Sequence, residues 1–437
     1  MDPNQSVRFA GDVSIEDITV FSSKFRQNIT NQVLAIEIFE DLFSPFMSGT
    51  INIEESFDFI NLFPFIGDEY VSLNIYTPTI DDKHRINQLF YIYKVSDRII
   101  MGDRTVIYQL HIISEEALFD INKNHSKSYS GIISDIAKSI CIDNITGLQT
   151  GEGALIKKPI NIETTRNKTK FISNFWSPVK CLNYACATAI STTGASNYLF
   201  FENRNGLNFL SMDSLYKQPA QRSFVYDKYL RDIQADGRSI INIDKDYTRI
   251  LSINVPVLYD YFDRLRTGMF TSKMLLTDVT TKRYNVRNFN ILNDFGSNSH
   301  TNSYPAVTDY ANKWINKPNA LVIDYPKAYA SFNNYNDVSN ASSIQKRISQ
   351  LAQAQTTKIN INVFGRTDYT VGMKVSVDLN QMRPIQKTET RESVRDNILS
   401  GNYIISAISH NINRKQHECV LELIKDSFII DLNTGKP

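Results

Sequence analysis

The sequence predicts a mainly β protein with α+β insertions, and three observations carry that prediction. Most element-length segments are short, rich in β-branched and aromatic residues, and bounded by Gly, Pro or Asp. Helical periodicity is confined to a few stretches. A strand-rich passage near the start also returns, weakly altered, near the end.

In chain order, Gln32 to Phe39 (QVLAIEIF), Tyr70 to Tyr76 (YVSLNIY) and Thr105 to Ile113 (TVIYQLHII) read as strands. Asn197 to Met212 (NYLFFENRNGLNFLSM) reads as a hairpin turning over Asn203-Arg204-Asn205-Gly206, whose Asn-Gly supplies the positive φ a tight turn needs. Three stretches have the helical period. GIISDIAKSIC lines up Ile132, Ile133, Ile136, Ala137, Ile140 and Cys141, and CLNYACATAI lines up Leu182, Ala185, Cys186, Ala189 and Ile190. SSIQKRISQLAQAQ puts Ile344, Ile348, Leu351 and Ala352 on one side. The polar tract Gly296 to Pro305 reads as a loop, and an irregular insertion is expected on to about Ser343.

The repeat pairs two passages. Ile66-Gly67 leads into EYVSLNI, FYIYKVSDR and VIYQLHIISEE, and Val371-Gly372 leads into KVSVDL, NYIISAISH and CVLELIKDS. Val95 aligns with Ile408, and Leu110 with Leu421. Antiparallel meanders resemble one another, so the repeat alone leaves duplication and coincidence both open.

At 437 residues the chain exceeds the roughly 250–300 residues one core supports, so two to four domains are expected. The 42% hydrophobic and 21% charged content fits a globular protein rather than a disordered one. A net charge of +1 provides no field for specific nucleic-acid binding or for an anionic membrane. No leader peptide and no apolar run of about 18 residues is visible, so no membrane partner is expected. Four cysteines make no disulfide framework, and folding in a cytoplasm is expected.

Motif chemistry is sparse. No His-Glu-x-x-His, Walker A, Gly-x-Gly-x-x-Gly or Gly-x-Ser-x-Gly pattern occurs. Cys181 and Cys186 would lie about 140° apart around a helix, which keeps them from pairing. Cys141 and Cys186 sit on apolar stripes as small hydrophobes. The closing stretch, Gly401 to Phe428, gathers His410, His417 and Cys419 around the polar turn Asn413-Arg414-Lys415-Gln416. A histidine and Glu418 could act as base and orienter. With no nucleophile or further ligand at a meaningful spacing, the cluster reads as the polar edge of a half-buried hairpin. His84, His111, His125 and His300 have no better company. Neighbouring carboxylates (Glu54-Glu55, Asp81-Asp82, Glu115-Glu116) point to opposite faces of a strand and make no glycosidase pair. The expectation is therefore no catalytic, cofactor-binding or metal-binding residue, no cofactor and no enzyme activity.

Several passages, taken in order, resemble the baseplate hub proteins of contractile-tailed, T-even-like bacteriophages. SGTINIEES with FIGDEYVSLNIYT resembles the first hub barrel. YQLHIISEEALFD, SNFWSPVKCLNYACATA and NYLFFENRNGLNFLSMDSL resemble the passage through the inserted domain. FDRLRTGMFTSKMLLTDVTTKRY resembles the start of a second barrel, and INVFGRTDYTVGMKVSVDL with LSGNYIISAISHNINRKQHECVLELIKDS its close. The resemblance runs from about residue 10 to 430, and no single motif in it is catalytic.

It implies two tail-tube-like antiparallel β-barrels plus inserted domains. The boundaries are 1–118 (first barrel), 119–240 (inserted α+β domain), 241–292 (first part of the second barrel), 293–343 (irregular insertion), 344–430 (rest of the second barrel) and 431–437 (tail). It further implies a homotrimeric, pseudo-six-fold ring that joins a trimeric tail spike to a six-fold tail tube around a channel for DNA. The implied partners are two more copies, a spike of lysozyme or OB-fold type, tube or tube-initiator proteins, wedge proteins and the tape measure protein. The implied location is the virion's tail baseplate, assembled in the host cytoplasm. One alternative is a hub or spike component of a non-phage contractile injection system. There the hub is fused to an OB fold and β-helix, for which the sequence after the second barrel leaves no room. The other is a tail-associated hydrolase using His410 or His417.

Overall fold

The computed structural model describes residues 9–23, 25–56, 67–78, 80–101, 105–145, 158–226, 242–278, 282–308, 313, 317–318, 321–326, 338–381, 383 and 394–435. Ile66 and most of 309–343 lie outside the described residues.

The first barrel uses β1 (Ser14–Phe21), β2 (Arg26–Asn28), β3 (Val33–Asp41), β4 (Ser48–Glu55), β5 (Tyr70–Tyr76), β6 (Ile86–Met101) and β7 (Thr105–Ser114). They lie in the order β3-β4-β7-β6-β5-β1-β2, all antiparallel. The ring closes across residues 29–32: Ile29 N–H donates to the Ile18 carbonyl, and Glu54 N–H to that of Gln32. Alternation decides the inside. Val71, Leu73 and Ile75 of β5 and Tyr108, Leu110 and Ile112 of β7 share one buried core with Ile51 and Ile53.

An α+β insertion follows: α1 (Glu116–Asn122), β8 (Ser128–Ile132), α2 (Ile133–Ile140), β9 (Ile160–Ile162), β10 (Lys168–Ile172), α3 (Pro178–Thr188), β11 (Tyr198–Asn203), β12 (Gly206–Ser211) and α4 (Met212–Lys217). The stripes expected on two helices are buried here, with Ile133, Ile136, Ile140, Leu182, Ala185 and Cys186 in one cluster with Phe209. Ser177 caps α3 by accepting from Lys180 N–H, and Pro178 opens it. The β11–β12 turn places its positive φ on Gly206 (+123°) and not on Asn205. A Cβ there would sit 2.2 Å from the Pro159 carbonyl, so only glycine fits.

The second barrel begins with β13 (Arg222–Tyr226), α5 (Ile243–Thr248) and β14 (Ile250–Val257). A second insertion carries α6 (Tyr261–Thr267), β15 (Thr271–Asp278), β16 (Arg283–Asn290), α7 (Ile291–Asp294), β17 (Tyr304–Pro305), β18 (Val322–Pro326) and α8 (Val338–Ala354). The barrel resumes with β19 (Thr357–Phe364), β20 (Lys374–Leu379), β21 (Gly401–Asn413) and β22 (His417–Lys425), followed by the short β23 (Ser427–Phe428). Its order is β14-β19-β22-β21-β20-β13, and a bridge from Val225 to Arg249 closes it.

The two barrels match strand for strand: β1, β3, β4, β5, β6 and β7 of the first occupy the places of β13, β14, β19, β20, β21 and β22. Registers match too. Val95 pairs with Leu110 as Ile408 pairs with Leu421, and Val71 with Phe90 as Val375 with Tyr403. A bulge falls between Ile92 and Lys94 in β6 and between Ile405 and Ala407 in β21. One pairing departs: β1 runs antiparallel to β5, whereas β13 runs parallel to β20.

Two stretches differ from their sequence reading. Within 241–292 only β14 joins the barrel; β15 and β16 form a separate three-stranded sheet with β18. That sheet packs Met274 and Leu276 against Ile323 of β18 and Ile344 of α8. Helix α8 buries Ser343, Gln345, Ser349, Gln350 and Gln353, while Ile344, Ile348, Leu351 and Ala352 are only half-buried. Much of its polar side is engaged in hydrogen bonds, although Gln350 Nε2 has no partner among the described residues. Gln345 donates to the Ser272 carbonyl (3.0 Å), and Arg347 to the carbonyls of Cys186 (3.0 Å), Ser196 (3.1 Å) and Tyr198 (2.8 Å).

Candidate functional site

The site with most chemistry is the seam where the barrels meet. Strand β21 is long enough to serve two neighbours along one edge. Gly401 to Ile404 pair with β20, and Ala407 to Asn413 pair with β3 of the first barrel. Thirteen strands thereby form one continuous sheet. Beyond the strand, Arg414 donates to the carbonyls of Val33 (2.9 Å) and Asn31.

His410, His417 and Cys419 lie at this seam. His410 stands opposite Cys419 across the hairpin and opposite Ile38 of β3. His417 and Cys419 are two apart on β22 and so share a face. The result is a sealed triangle: His410 Nδ1 to His417 Nε2 is 3.0 Å, and Cys419 Sγ is 3.3 Å from each. All three are 1% exposed or less. Burial, with the neighbouring His417, drives the His410 imidazole well below its usual pKa, and burial takes His417 down to about 3. Burial also pushes the Cys419 thiol far up. At neutral pH the cluster is two uncharged rings and a thiol.

Buried charges from both barrels and the insertion surround it. Arg204, on the β11–β12 turn, donates to the carbonyls of His84 (2.9 Å), Thr367 and Asp368 (3.3 Å), so one side chain holds loops of both barrels. Glu40 of β3 accepts from Thr370 Oγ1 (2.6 Å), Val371 N–H (3.0 Å) and Arg204 N–H (3.2 Å). Burial keeps its carboxyl above the usual range despite those bonds. Asp368 is also buried, but Arg366 and Arg222 outweigh the burial and hold it below the usual range.

The other singled-out residues lie apart from this cluster. His111 meets Ser96 Oγ (2.7 Å), His125 meets Tyr129 Oη (2.7 Å), and His300 meets Asp426 (2.6 Å). Cys141, Cys181 and Cys186 are buried in the insertion core and form no disulfide. Glu115 and Glu116 border a cleft of about 600 Å³ with no histidine or cysteine among the described residues that line it. Tyr70 Oη donates to Glu115 (3.0 Å), and Lys158 pairs with Glu116 (2.7 Å) and Glu202.

Two further features escaped the sequence reading. On β6, Ile86 to Tyr91 pair with β5, and beyond Lys94 the same edge has no ladder partner among the described residues. This arm exposes Tyr93, Ile99, Ile100 and Met101, each 52–68% accessible. Likewise β14 has β19 as its one ladder partner among the described residues.

No protein-family model and no curated protein matches the sequence. The structure aligns over 94% of the chain with the tail protein from Neisseria meningitidis MC58, covering 96% of that chain at TM-score 0.54 and 11% identity. It aligns equally far with the 43 kDa tail protein of prophage MuSo2 from Shewanella oneidensis, covering 98% of that chain at TM-score 0.50 and 10% identity. The chain has a tail-protein fold. The fold expected from the hub resemblance is therefore present: mainly β, with two antiparallel barrels and inserted domains. At such identities the tail-protein fold persists while nearly every side chain has changed.

Proposed function

We propose that this chain is a structural baseplate hub protein of a contractile phage tail, and that three copies close into a pseudo-six-fold ring. One observation carries the reading: the contact between the two barrels of a single chain has an unused counterpart. Within the chain, Ala407 to Asn413 of β21 pair with β3. The strands in the same places of the other barrel are β6 and β14, and each has an edge with no ladder partner among the described residues. Shifted by the repeat, the segment of β6 equivalent to 407–413 is Lys94 to Ile100. Adding this arm to β14 of the next copy repeats the internal contact between subunits. Such a contact is heterologous and must close on itself. Two barrels per chain and three chains give six similar positions. Pro256 interrupts the far end of β14, so the available edge is Ile250 to Val255.

A ring with three-fold identity and six-fold shape suits an adaptor between a trimeric spike and a six-fold tube, with a channel for DNA. The near-zero net charge suits a wall that DNA passes without being held. The further partners are the tube or tube-initiator proteins, the wedge proteins and the tape measure protein, in the tail baseplate. The role needs no catalysis, and the sealed, uncharged histidines offer no base to a substrate. Native mass spectrometry and cryo-electron microscopy of the purified chain test the reading, alone and with its phage's spike protein. A trimer with six barrel densities around an axis is expected. A stable monomer in both conditions, or a two-fold dimer, sinks it.

A further inference from the structure

We infer that His410, His417 and Cys419 form a buried three-ligand site for a zinc-class divalent cation that staples the two barrels at their seam. The geometry is that of a ligand set. His410 Nδ1, His417 Nε2 and Cys419 Sγ face one point, separated by 3.0, 3.3 and 3.3 Å. All three atoms lie within 4.8 Å of one another. A tetrahedral zinc with ordinary Zn–N and Zn–S bonds spans about 3.3 Å between nitrogens and about 3.6 Å between nitrogen and sulfur. The triangle needs to open by only about 0.3 Å on each side to admit it. Two imidazoles and one thiolate suit a borderline-soft cation and disfavour magnesium or calcium.

The surroundings support a cation. The Arg366 backbone and burial act in opposite directions on Cys419: burial favours the thiol, and the backbone hydrogen bond favours the thiolate. N–H donation to a metal-bound thiolate is a common outer-shell contact. A dication and one thiolate leave a net positive charge. Asp368 and Glu40 both act on Cys419, and Asp368 on His417, while Arg204 opposes them at His410. Room for the His417 ring is made by Gly365, where a Cβ would lie 2.2 Å from it. Binding replaces the thiol proton: Sγ–H and the dication give Sγ–metal and one proton released to solvent, with both rings neutral throughout. The site is sealed, so loading belongs to folding of the full chain rather than to the finished barrel.

The test is to unfold the full chain in urea with chelator, then refold it with Zn²⁺ or Co²⁺ and remove the excess. Wild type is expected to retain about one metal per chain. The Co²⁺ form should show thiolate-to-cobalt charge transfer and tetrahedral d–d bands, and Zn²⁺ should raise the melting temperature. Cys419→Ala and His417→Ala should lose the spectrum and at least about a hundredfold in affinity. Circular dichroism checks that each variant folds; if one does not, Cys419→Ser replaces it. Wild type that refolds but retains no metal overturns the proposal. So does a Cys419→Ala variant with an unchanged cobalt spectrum. Neither outcome depends on ring formation.

Discussion

His410 and His417 cannot take up a proton in the folded chain at any mildly acidic pH, and this makes folding acid-labile. Burial holds His410 well below 6.5 and His417 at about 3, whereas in the unfolded chain both titrate near 6.5. Below pH 6.5 the unfolded state therefore binds more protons, so their contribution to stability is full above 6.5 and falls with pH. The loss approaches about 1.4 kcal/mol per pH unit for each histidine, and continues for His417 down to about pH 3. Urea midpoints of metal-free protein at pH 7.5, 6 and 5 should fall steeply for wild type. Converted to unfolding free energy, the fall should be smaller by up to about 2.7 kcal/mol per pH unit for the double variant His410→Leu/His417→Leu. Parallel curves would refute this account. The same ring sets the tolerance at residue 365. Gly365→Ala places a methyl 2.2 Å from His417 Cδ2 and should cost about 1–3 kcal/mol by overpacking. In a His417→Ala background that cost should largely vanish, so a denaturation double-mutant cycle should give strong positive coupling. Equal cost in both backgrounds would place the strain elsewhere.

Helix α8 shows what an element's sequence can conceal. Its apolar spacing pointed to a stripe through Ile344, Ile348 and Leu351, yet the fully buried side is Ser343, Gln345, Ser349, Gln350 and Gln353. Periodicity shows where apolar groups recur but not where a neighbouring backbone needs donors or acceptors. Here Ser196 N–H donates to Gln350 (3.2 Å), and Arg347 bonds three carbonyls of the first insertion. Arg347→Met keeps the stem but leaves those carbonyls without their donor, and should cost about 2–4 kcal/mol in chemical denaturation. A loss under 0.5 kcal/mol would mean that solvent replaces the guanidinium. The repeated meander was legible for the opposite reason. Alternation fixes both face and register, so aligning Val95 with Ile408 and Leu110 with Leu421 already contained the pairs that form. The start of the second barrel was not legible, because β13 and β14 pair with strands more than a hundred residues away. The seam cluster was half legible. The hairpin placed its residues near one another, but their common face and the cover from 365–369 come from tertiary packing.

At the scale of the whole molecule, the decisive property is an asymmetry between equivalent surfaces. The seam inside the chain is saturated: β21 on β3, Arg414 on two carbonyls, Arg204 across both barrels. Its counterpart is an apolar arm, with Ile99 at 55% and Ile100 at 68% exposure, and the edge of β14 away from β19, which has no ladder partner among the described residues. Isolated monomers do not usually leave a strand edge and its apolar residues open together, because the pair invites uncontrolled association. A closed ring removes all three copies of that liability at once. Ile99→Asp/Ile100→Asp puts two charges where the arm would meet the next copy, while replacing only exposed residues. The folded chain should therefore keep its circular dichroism and its melting temperature within a few degrees. Its mass in native spectrometry and sedimentation should shift from trimer to monomer. A control pair on the saturated seam, Asn411→Asp/Asn413→Asp, should instead lower stability without selecting the monomer. If the arm variant stays trimeric, the subunit contact lies elsewhere, and the equivalence of the two seams does not extend beyond the single chain.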